Sequence, residues 1–317
     1  ILATFLVQSS SVSTSTIVGL VGAGSLTIPL AVPMIMGANI GTTVTNTLAS
    51  LGYLRRSTEF RRAFTGATMH DFFNICNVAV MLPLELTTGF LTKISEWLAE
   101  VLGGATVLGI EKPDSPIKAA VKAPVTLVQN VLDGWSANDT LEGVLLLVLG
   151  LGLIFVALAF VTRNMKLVMA GRIERSMNTV LAKGGGASAM LIGMLMTIAV
   201  QSSSITTSVL IPMIAAGILT IRNAFPVTLG ANVGTTITAL LASLASENPA
   251  GLVIALHHIL FNAVGIAIWY PIPALRNIPL RMAAGLARLA EIRKSLVVAY
   301  VIGTFIVVPV IGILLLQ

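Results

Sequence analysis

The chain has 317 residues, of which 56% are hydrophobic and 10% charged, and its mean hydropathy is +0.94. Ordinary soluble domains carry about 25% charged residues, so these values exclude a soluble globular fold. The net charge of +6 could suggest nucleic acid, but the basic residues flank apolar stretches instead of forming one soluble basic face. We therefore predict an all-α integral membrane protein that lies in a lipid bilayer and binds no nucleic acid.

Six stretches are apolar enough, over the roughly 20 residues that a bilayer requires, to cross a membrane. These predicted spans are 26–51, 64–92, 141–162, 219–245, 251–275 and 295–316. Two further apolar stretches, 1–24 and 187–217, are rich in Ser and Thr, and we interpret each as a re-entrant hairpin. Because Ile1 already lies in an apolar stretch, we expect the native N-terminus to precede it.

The basic residues predict how the chain is oriented. Fifteen of the 19 fall in groups that can share one side of the membrane, which the positive-inside rule makes cytoplasmic. These groups are Arg55, Arg56, Arg61 and Arg62; Arg163, Lys166, Arg172, Arg175 and Lys183; Arg222 alone; and Arg276, Arg281, Arg288, Arg293 and Lys294. The other four are lysines of the segment 93–140, which we place outside. The single cysteine, Cys76, excludes an intramolecular disulfide.

An internal duplication is the most informative feature of the sequence. Residues 8–51 match residues 201–244 without a gap, and 24 of the 44 aligned positions are identical. After a connection that is five residues shorter in the second copy, His70 aligns with His258. Three predicted spans separate the two hairpins, and this odd number inverts the second copy relative to the first. Inverted repeats with interrupted helices are typical of secondary transporters.

The duplication divides the chain into five predicted segments. The first inverted repeat is 1–92, with a hairpin, a broken helix and a helix, and the second repeat is 187–275. An extracytoplasmic loop occupies 93–140, and a connecting helix with a cytoplasmic loop occupies 141–186. A cytoplasmic loop and a C-terminal helix form 276–317.

Each copy contains the motif QSSS followed by further hydroxyl residues, at 13–16 and at 206–208. Consecutive polar residues point all round a helix, so they cannot share one face. We expect a break in each hairpin, where hydroxyls and backbone line a cavity instead of lipid. The alternative is that these hydroxyls bond back to helical carbonyls or allow close helix packing.

The second repeated motif is GANxGTTxT. Its glycines are expected to relax the backbone so that its Asn caps the following half-helix, and its first and third Thr, three residues apart, share a helical face. Such a site offers neutral oxygens to a small cation and helix N-termini to an anion. Close helix packing is the alternative for the glycines. These residues are Gly37, Asn39, Gly41, Thr42 and Thr45, with Gly230, Asn232, Gly234, Thr235 and Thr238 in the second copy.

Asp71 is the only carboxylate that the prediction places deep in a span. An intramembrane acid by default indicates an ion or proton site, and a hydrogen bond to a neighbouring helix is the alternative. His70, His257 and His258 have no Cys or carboxylate neighbours that would complete a metal site. We favour packed, hydrogen-bonded histidines.

Together, the two QSSS motifs, GANIGTTVTNT, EFRRAFTGATMHDFFN and GANVGTT resemble the type II sodium/phosphate cotransporters, as in a bacterial member. The resemblance covers 1–92 and 187–275. It implies sodium-coupled symport of inorganic phosphate across the cell membrane by alternating access, with sodium as a co-transported ion and no other cofactor. The phosphate site would comprise Gln8, Ser9, Ser10, Ser11, Ser202, Ser203, Ser204, Asn39 and Asn232. Sodium would bind Gln201, Ser202, Thr235 and Thr238, with Asp71, Asn74, Thr42 and Thr45 at further positions.

The chain also departs from the family pattern. Animal relatives carry Gln and Asp where this sequence has Tyr53 and Arg56, and a Ser can stand at Ala231. These differences leave the sodium stoichiometry open. The oligomeric state stays open, with a homodimer as one candidate.

Three other functions compete with this interpretation. A sodium-coupled carrier of another small anion, a dicarboxylate or an amino acid, would use similar Ser-rich hairpins and inverted repeats. An intramembrane serine hydrolase would need one nucleophile with a positioned base, whereas here the Ser runs are duplicated and G-x-S-x-G is missing. A passive channel would carry flux uncoupled from sodium. We favour a transporter over an enzyme.

Overall fold

The computed structural model describes residues 1–104, 185–244 and 248–315, with the single positions 126, 148, 149 and 152. These residues form helices and turns, and no strand occurs among them. Four helical stretches, Ile28–Tyr53, Ile221–Ser243, Pro249–Trp269 and Ser295–Leu314, are long and apolar enough to cross a membrane, and a bent pair adds a fifth candidate. The all-α membrane fold is thus confirmed. The basic group 163–183 lies outside the described residues, as do most of the predicted span 141–162 and most of the loop 93–140.

Fourteen α-helices are described, and we number them in chain order. The first copy contains α1 (Leu2–Val7), α2 (Ser10–Gly22), α3 (Ile28–Gly41), α4 (Val44–Ser50) and α5 (Ser57–Thr88), and α6 (Phe90–Gly104) follows. The second copy contains α7 (Gly186–Val200), α8 (Ser203–Ser208), α9 (Leu210–Ala215), α10 (Ile221–Ser243) and α11 (Pro249–Trp269). The chain continues with α12 (Pro273–Ile292), α13 (Ser295–Ile302) and α14 (Val308–Leu315), the last two joined by the π-helical turn Gly303–Val307.

The first hairpin reverses its direction at Gln8. Helix α1 runs parallel to α3 and α4, because Gly41 faces Thr4 while Thr45 bonds to Gln8. Helix α2 runs antiparallel to α3, because the two pack together across a short turn that contains Gly24. Helices α1 and α2 therefore run in opposite directions, with Gln8 at the tip between them.

The second hairpin repeats this arrangement at Gln201. Gly234 of α10 faces Thr197 of α7, and Thr238 bonds to Gln201, so that α7 runs parallel to α10. Across the tip, the Thr197 hydroxyl donates to the Thr206 hydroxyl at 2.9 Å and ties α7 to α8. The residues that make the contacts with α10 in the second hairpin lie 193 positions after those that make the equivalent contacts in the first. The contacts of the first hairpin therefore recur in the second.

The motif glycines serve close helix packing. Gly37 lies inside α3, and Gly230 and Gly234 lie inside α10, so these three do not interrupt a helix as we expected. Gly41 is the last residue of α3, where the helix is interrupted. A methyl group at Gly230 would overlap the carbonyl oxygen of Met190. The packing alternative is therefore correct for Gly37, Gly230 and Gly234, whereas Gly41 both packs against Thr4 and precedes the interruption.

The expectation that the motif Asn caps a half-helix is wrong in both copies. Asn39 lies inside α3, and its Nδ2 donates to the carbonyl oxygen of Ile35 at 3.0 Å. Asn232 lies inside α10, which continues without a break. The helix is interrupted only in the first copy, at a turn of Thr42 and Thr43.

We predict that Gly230→Ala lowers the thermal unfolding temperature of the protein in detergent. The added methyl group must push α7 away from α10, and overpacking typically costs about 1–3 kcal/mol. Gly19→Ala is the matched control, because nothing lies within 4 Å of the methyl group that it adds inside α2. That control should be neutral or slightly stabilising, since Ala favours helix over Gly by about 1 kcal/mol. Equal unfolding temperatures for the two variants would contradict the packing role.

The predicted outer loop begins as a helix. Helix α6 continues from α5 through a bend of 73°, so residues 93–104 are helical instead of loop. Gly89, with φ 61°, ends α5, and the Glu85 carboxylate accepts the backbone N–H groups of Leu91 and Thr92 at 2.7 and 3.1 Å. The chain changes direction at the left-handed Gly89, and Glu85 satisfies the N–H groups at the start of α6.

The predicted basic loop after residue 276 is also largely helical. Helix α12 buries an apolar stripe of Leu280, Ala283, Ala287 and Ala290, while its arginines occupy other faces. Phe60 of α5 packs in the same cluster as Ala287 and Ala290. The sequence prediction considered only the charge of this segment and therefore missed its amphipathic helix pattern.

Candidate functional site

Both hairpin tips hold a glutamine in a left-handed backbone conformation. Gln8 has φ 57° and Gln201 has φ 55°, and in the described part of the chain no other non-glycine residue has a positive φ. This conformation costs a residue with a side chain roughly 1–2 kcal/mol. Strain of this kind persists where the surrounding contacts determine it, and it clusters at functional sites.

The glutamine side chains close the tips in the same way. Each Nε2 donates to a carbonyl oxygen in the last turn of the preceding helix, at 2.5 Å for Gln8 and 2.8 Å for Gln201. The Oε1 of Gln8 accepts the Thr45 hydroxyl at 2.9 Å, and that of Gln201 accepts the Thr238 hydroxyl at 2.5 Å. Each tip is thereby tied to the GANxGTTxT motif of its own copy.

Each serine run contacts the backbone of the other copy. The Ser11 hydroxyl donates to the backbone carbonyl oxygen of Gln201 at 3.2 Å, and the Ser204 hydroxyl donates to that of Thr42 at 3.4 Å. Next to these contacts, Asn46 Nδ2 donates to the Thr207 hydroxyl at 2.7 Å. The structure therefore joins the two hairpins through polar groups, and a shared pocket between them stays a prediction.

The hydroxyl residues of the two motifs fall into three groups. Ser9 and Ser202 are N-caps, and each accepts the backbone N–H three residues ahead. The hydroxyl of Ser203 is buried and has no hydrogen-bond partner among the described residues. Most hydroxyls farther from the tips bond back to carbonyls of their own helix, so the back-bonding alternative is correct for them: Ser13, Thr14, Thr16, Thr206, Thr207 and Ser208.

The other predicted ligands are less directly connected to the tips. Thr42 and Thr235 bond back to carbonyl oxygens in α3 and α10, at 2.9 and 3.1 Å. Ser10 is buried near the first tip. Their oxygens keep unused lone pairs, which are what a hard cation binds.

A chain of buried side chains links the two copies away from the tips. The Nε2 of His70 lies 2.8 Å from Asn232 Oδ1, and Asn232 Nδ2 donates to Asn74 Oδ1 at 2.7 Å. Asn74 Nδ2 in turn donates to the backbone carbonyl oxygen of Asn39 at 2.9 Å. Because Asn232 Oδ1 is an acceptor in this arrangement, His70 carries its proton on Nε2.

The equivalent contacts recur with the copies exchanged. Asn39 Oδ1 lies 3.4 Å from His258 Nε2 and accepts from Asn262 Nδ2 at 3.4 Å. Thus the Asn of each GANxGTT motif pairs with the His and Asn of the other copy. Such reciprocity is what a two-fold relation between the copies produces. The orientation of the copies in the bilayer stays a prediction.

These contacts also bear on the predicted histidine and asparagine roles. His70 and His258 each lie within hydrogen-bonding distance of an amide, as the packed interpretation expects. Asn39 and Asn232, predicted to bind phosphate, direct their amide oxygens to this network instead of to the serine runs. Their effect on the tips would therefore be indirect.

Asp71 is fully buried, and its partners differ from those expected. Its Oδ2 accepts the Tyr300 hydroxyl at 2.7 Å and the Thr47 hydroxyl at 3.3 Å. Its Oδ1 has no hydrogen-bond partner, and no Lys or Arg pairs with it among the described residues. Asn74 uses its amide in the network above, so no shared contact with Asp71 is seen.

Sequence reasoning missed Tyr300, Thr47 and Asn46. Asn46 corresponds to Ala239 in the second copy, so a search for positions at which the copies differ in polarity would have found it. Asp71 shows the same asymmetry, because its counterpart is an isoleucine. Tyr300 lies outside the repeats, and nothing in the sequence links it to α5.

Comparison with known proteins finds one protein family that is similar to this chain along most of its length. The family model described as Na+/Pi-cotransporter matches residues 1–163 and 153–270. The human sodium-dependent phosphate transport protein 2B is 34% identical over 98% of this chain and 57% of its own length. Sodium-dependent phosphate transport protein 2A from sheep is 33% identical, and that from rat is 35% identical, each over 98% of this chain and 58% of the relative.

The chain therefore spans less than three-fifths of the length of these relatives, whose names describe transporters and not enzymes. No solved structure matches the chain.

Proposed function

This chain belongs to the Na+/Pi-cotransporter family, and on that premise we propose that it moves inorganic phosphate across the cell membrane together with sodium ions. One observation supports the proposal above others: two strained glutamine tips, each bonded to a threonine of its own copy, meet through Ser11 and the Gln201 carbonyl. Phosphate would lie between the serine runs, with sodium at the Gln201–Thr238 pair and at Asp71.

The charges of the site support coupling to a cation. None of the proposed ligands is a Lys or Arg, so no side chain among them can neutralise a phosphate anion. Sodium bound at neutral oxygens, with the backbone N–H groups at the start of α2, would offset that charge. Each ligand then raises the affinity for the other, and this reciprocal coupling makes phosphate uptake depend on the sodium gradient.

The repeated hairpins support alternating access. Two similar units that meet at a shared site can expose it to one side and then the other when one unit rocks against its counterpart. In this proposal the basic groups face the cytoplasm and the segment 93–140 faces outward, according to the positive-inside rule.

Reconstituted vesicles test this function. We expect uptake of radiolabelled phosphate when sodium is outside, and background uptake when potassium replaces it. Excess arsenate should compete, because it shares the tetrahedral oxyanion geometry, whereas glutamate should not. Sodium-dependent uptake of glutamate or of a dicarboxylate without phosphate uptake would favour the other anion carrier. Equal phosphate flux in sodium and potassium would favour a channel.

A further inference from the structure

A polar cavity lies away from the hairpin tips, where α7, α10 and α12 begin. Its volume is about 210 Å³, and its lining includes Gly186, Arg222, Asn223, Tyr270 and Arg276. None of these residues belongs to the proposed phosphate or sodium sites.

Two arginines without acidic partners give this cavity its chemistry. The ion pairs among the described residues are Arg56–Glu59 and Arg61–Glu291, so neither Arg222 nor Arg276 pairs with a described carboxylate. Arg222 is exposed and Arg276 is half-buried, so water partly screens their mutual repulsion, and an anion bound between the two guanidinium groups would offset the rest. A guanidinium group also presents a planar fork of N–H donors that matches the oxygens of a phosphate group.

Tyr270 orients one of these arginines. The guanidinium carbon of Arg276 lies 5.2 Å from the centre of the Tyr270 ring, which is a cation–π contact. The tyrosine hydroxyl lies against Gly186, where a methyl group would overlap it. Because α7 begins with glycines at 185 and 186, the ring can approach and present its hydroxyl at the cavity, where it bonds to no described residue.

The size of the cavity limits its ligand. A water molecule needs about 10–15 Å³ on this measure, whereas pockets for drug-sized ligands have about 300–1,000 Å³. A cavity of about 210 Å³ therefore suits a group of several heavy atoms, such as a phosphate. The basic residues also place this end of the molecule on the predicted cytoplasmic side.

We infer that this cavity binds a phosphate group through Arg222, Arg276 and Tyr270, separately from the proposed transport site. The phosphate belongs either to the headgroup of an anionic lipid or to inorganic phosphate. In either case the bound anion would hold the starts of α10 and α12 together, because it bridges one arginine from each helix.

The test measures ligand-induced shifts of the unfolding temperature of the full chain in neutral detergent. Sodium-free potassium chloride buffer is used, which disfavours binding at the sodium-coupled site. The probes are dihexanoyl phosphatidic acid, potassium phosphate and, as an uncharged reference, dihexanoyl phosphatidylcholine. The variant R222Q/R276Q is compared with R281Q/R288Q, which removes the same charge from exposed positions of α12 outside the cavity.

We expect R222Q/R276Q to weaken binding of the active probe at least about tenfold, since two charge-assisted contacts are lost. The R281Q/R288Q control should bind like the unsubstituted protein, and R222K/R276K should bind with intermediate strength because charge remains without the fork. A response to phosphatidic acid alone assigns the lipid headgroup, and a response to both probes assigns inorganic phosphate as well. Equal weakening in both Gln variants, or no shift with either anion, overturns the inference.

Discussion

Replacing Gln201 with glycine is expected to lower sodium-dependent phosphate uptake at least about tenfold while the protein stays folded. Glycine accepts the left-handed backbone at this tip more readily than glutamine, so the backbone strain falls. The side-chain oxygen that accepts the Thr238 hydroxyl is lost, however, and with it a proposed sodium ligand. This substitution therefore separates the effect of the backbone conformation on transport from the effect of the side-chain oxygen.

Thr238→Val tests the other half of the same contact. It removes the hydroxyl that donates to Gln201 at nearly constant side-chain volume, and uptake should fall by a similar factor. Thr87→Val is the matched control, because the Thr87 hydroxyl bonds only to carbonyls of its own helix at the exposed end of α5. Initial rates of labelled phosphate uptake at equal protein per vesicle provide the measurement. Full activity of the glycine variant would remove Gln201 from the transport site.

The second large effect is expected at Asp71. Asp71→Asn should lower the charge moved per transported phosphate by about one elementary charge, because an intramembrane carboxylate is the natural partner of a cation. The unbonded and buried Oδ1 is the atom that would meet this ion. Simultaneous recording of current and phosphate uptake in one reconstituted preparation gives the ratio. An unchanged ratio would count against a sodium ion at this carboxylate.

Tyr300→Phe distinguishes the position of the Asp71 carboxylate from its charge as the cause of an effect on transport. The tyrosine hydroxyl donates to Asp71 Oδ2, so its loss leaves the carboxylate charged but less firmly held. The charge moved per phosphate should stay constant, while the half-saturating sodium concentration should rise about tenfold. Tyr53→Phe is the control, because Tyr53 packs in apolar clusters with Phe60 and Ala63. A purely structural role for Tyr300 would lower activity without moving the sodium dependence.

Much of the fold and part of the site could be predicted because their causes are local in sequence. Apolar length predicts spans, and a constant offset of 193 residues pairs Gln8 with Gln201. Consecutive hydroxyls that no single helix face can hold predicted a break, which the structure places at the two glutamines. These inferences need only the chain's own periodicity.

Other predictions failed because they assigned a local role to residues with distant partners. We expected the glycines of the second motif to relax the backbone, but Gly230 lies where α7 and α10 approach each other closely. Asn39 and Asn232 looked like caps, but their amides bond across the repeats to His258 and His70.

The sequence by itself determined that this chain is a duplicated, helical membrane protein of the sodium/phosphate cotransporter type. Only the tertiary structure decided which polar groups meet, as in the contacts of Ser11 with Gln201 and of Asp71 with Tyr300. The physical reason is that helix formation and membrane insertion depend on neighbouring residues, whereas a buried polar group can take its partner from any part of the chain. Tyr300 is 229 residues from Asp71, and no periodicity connects them.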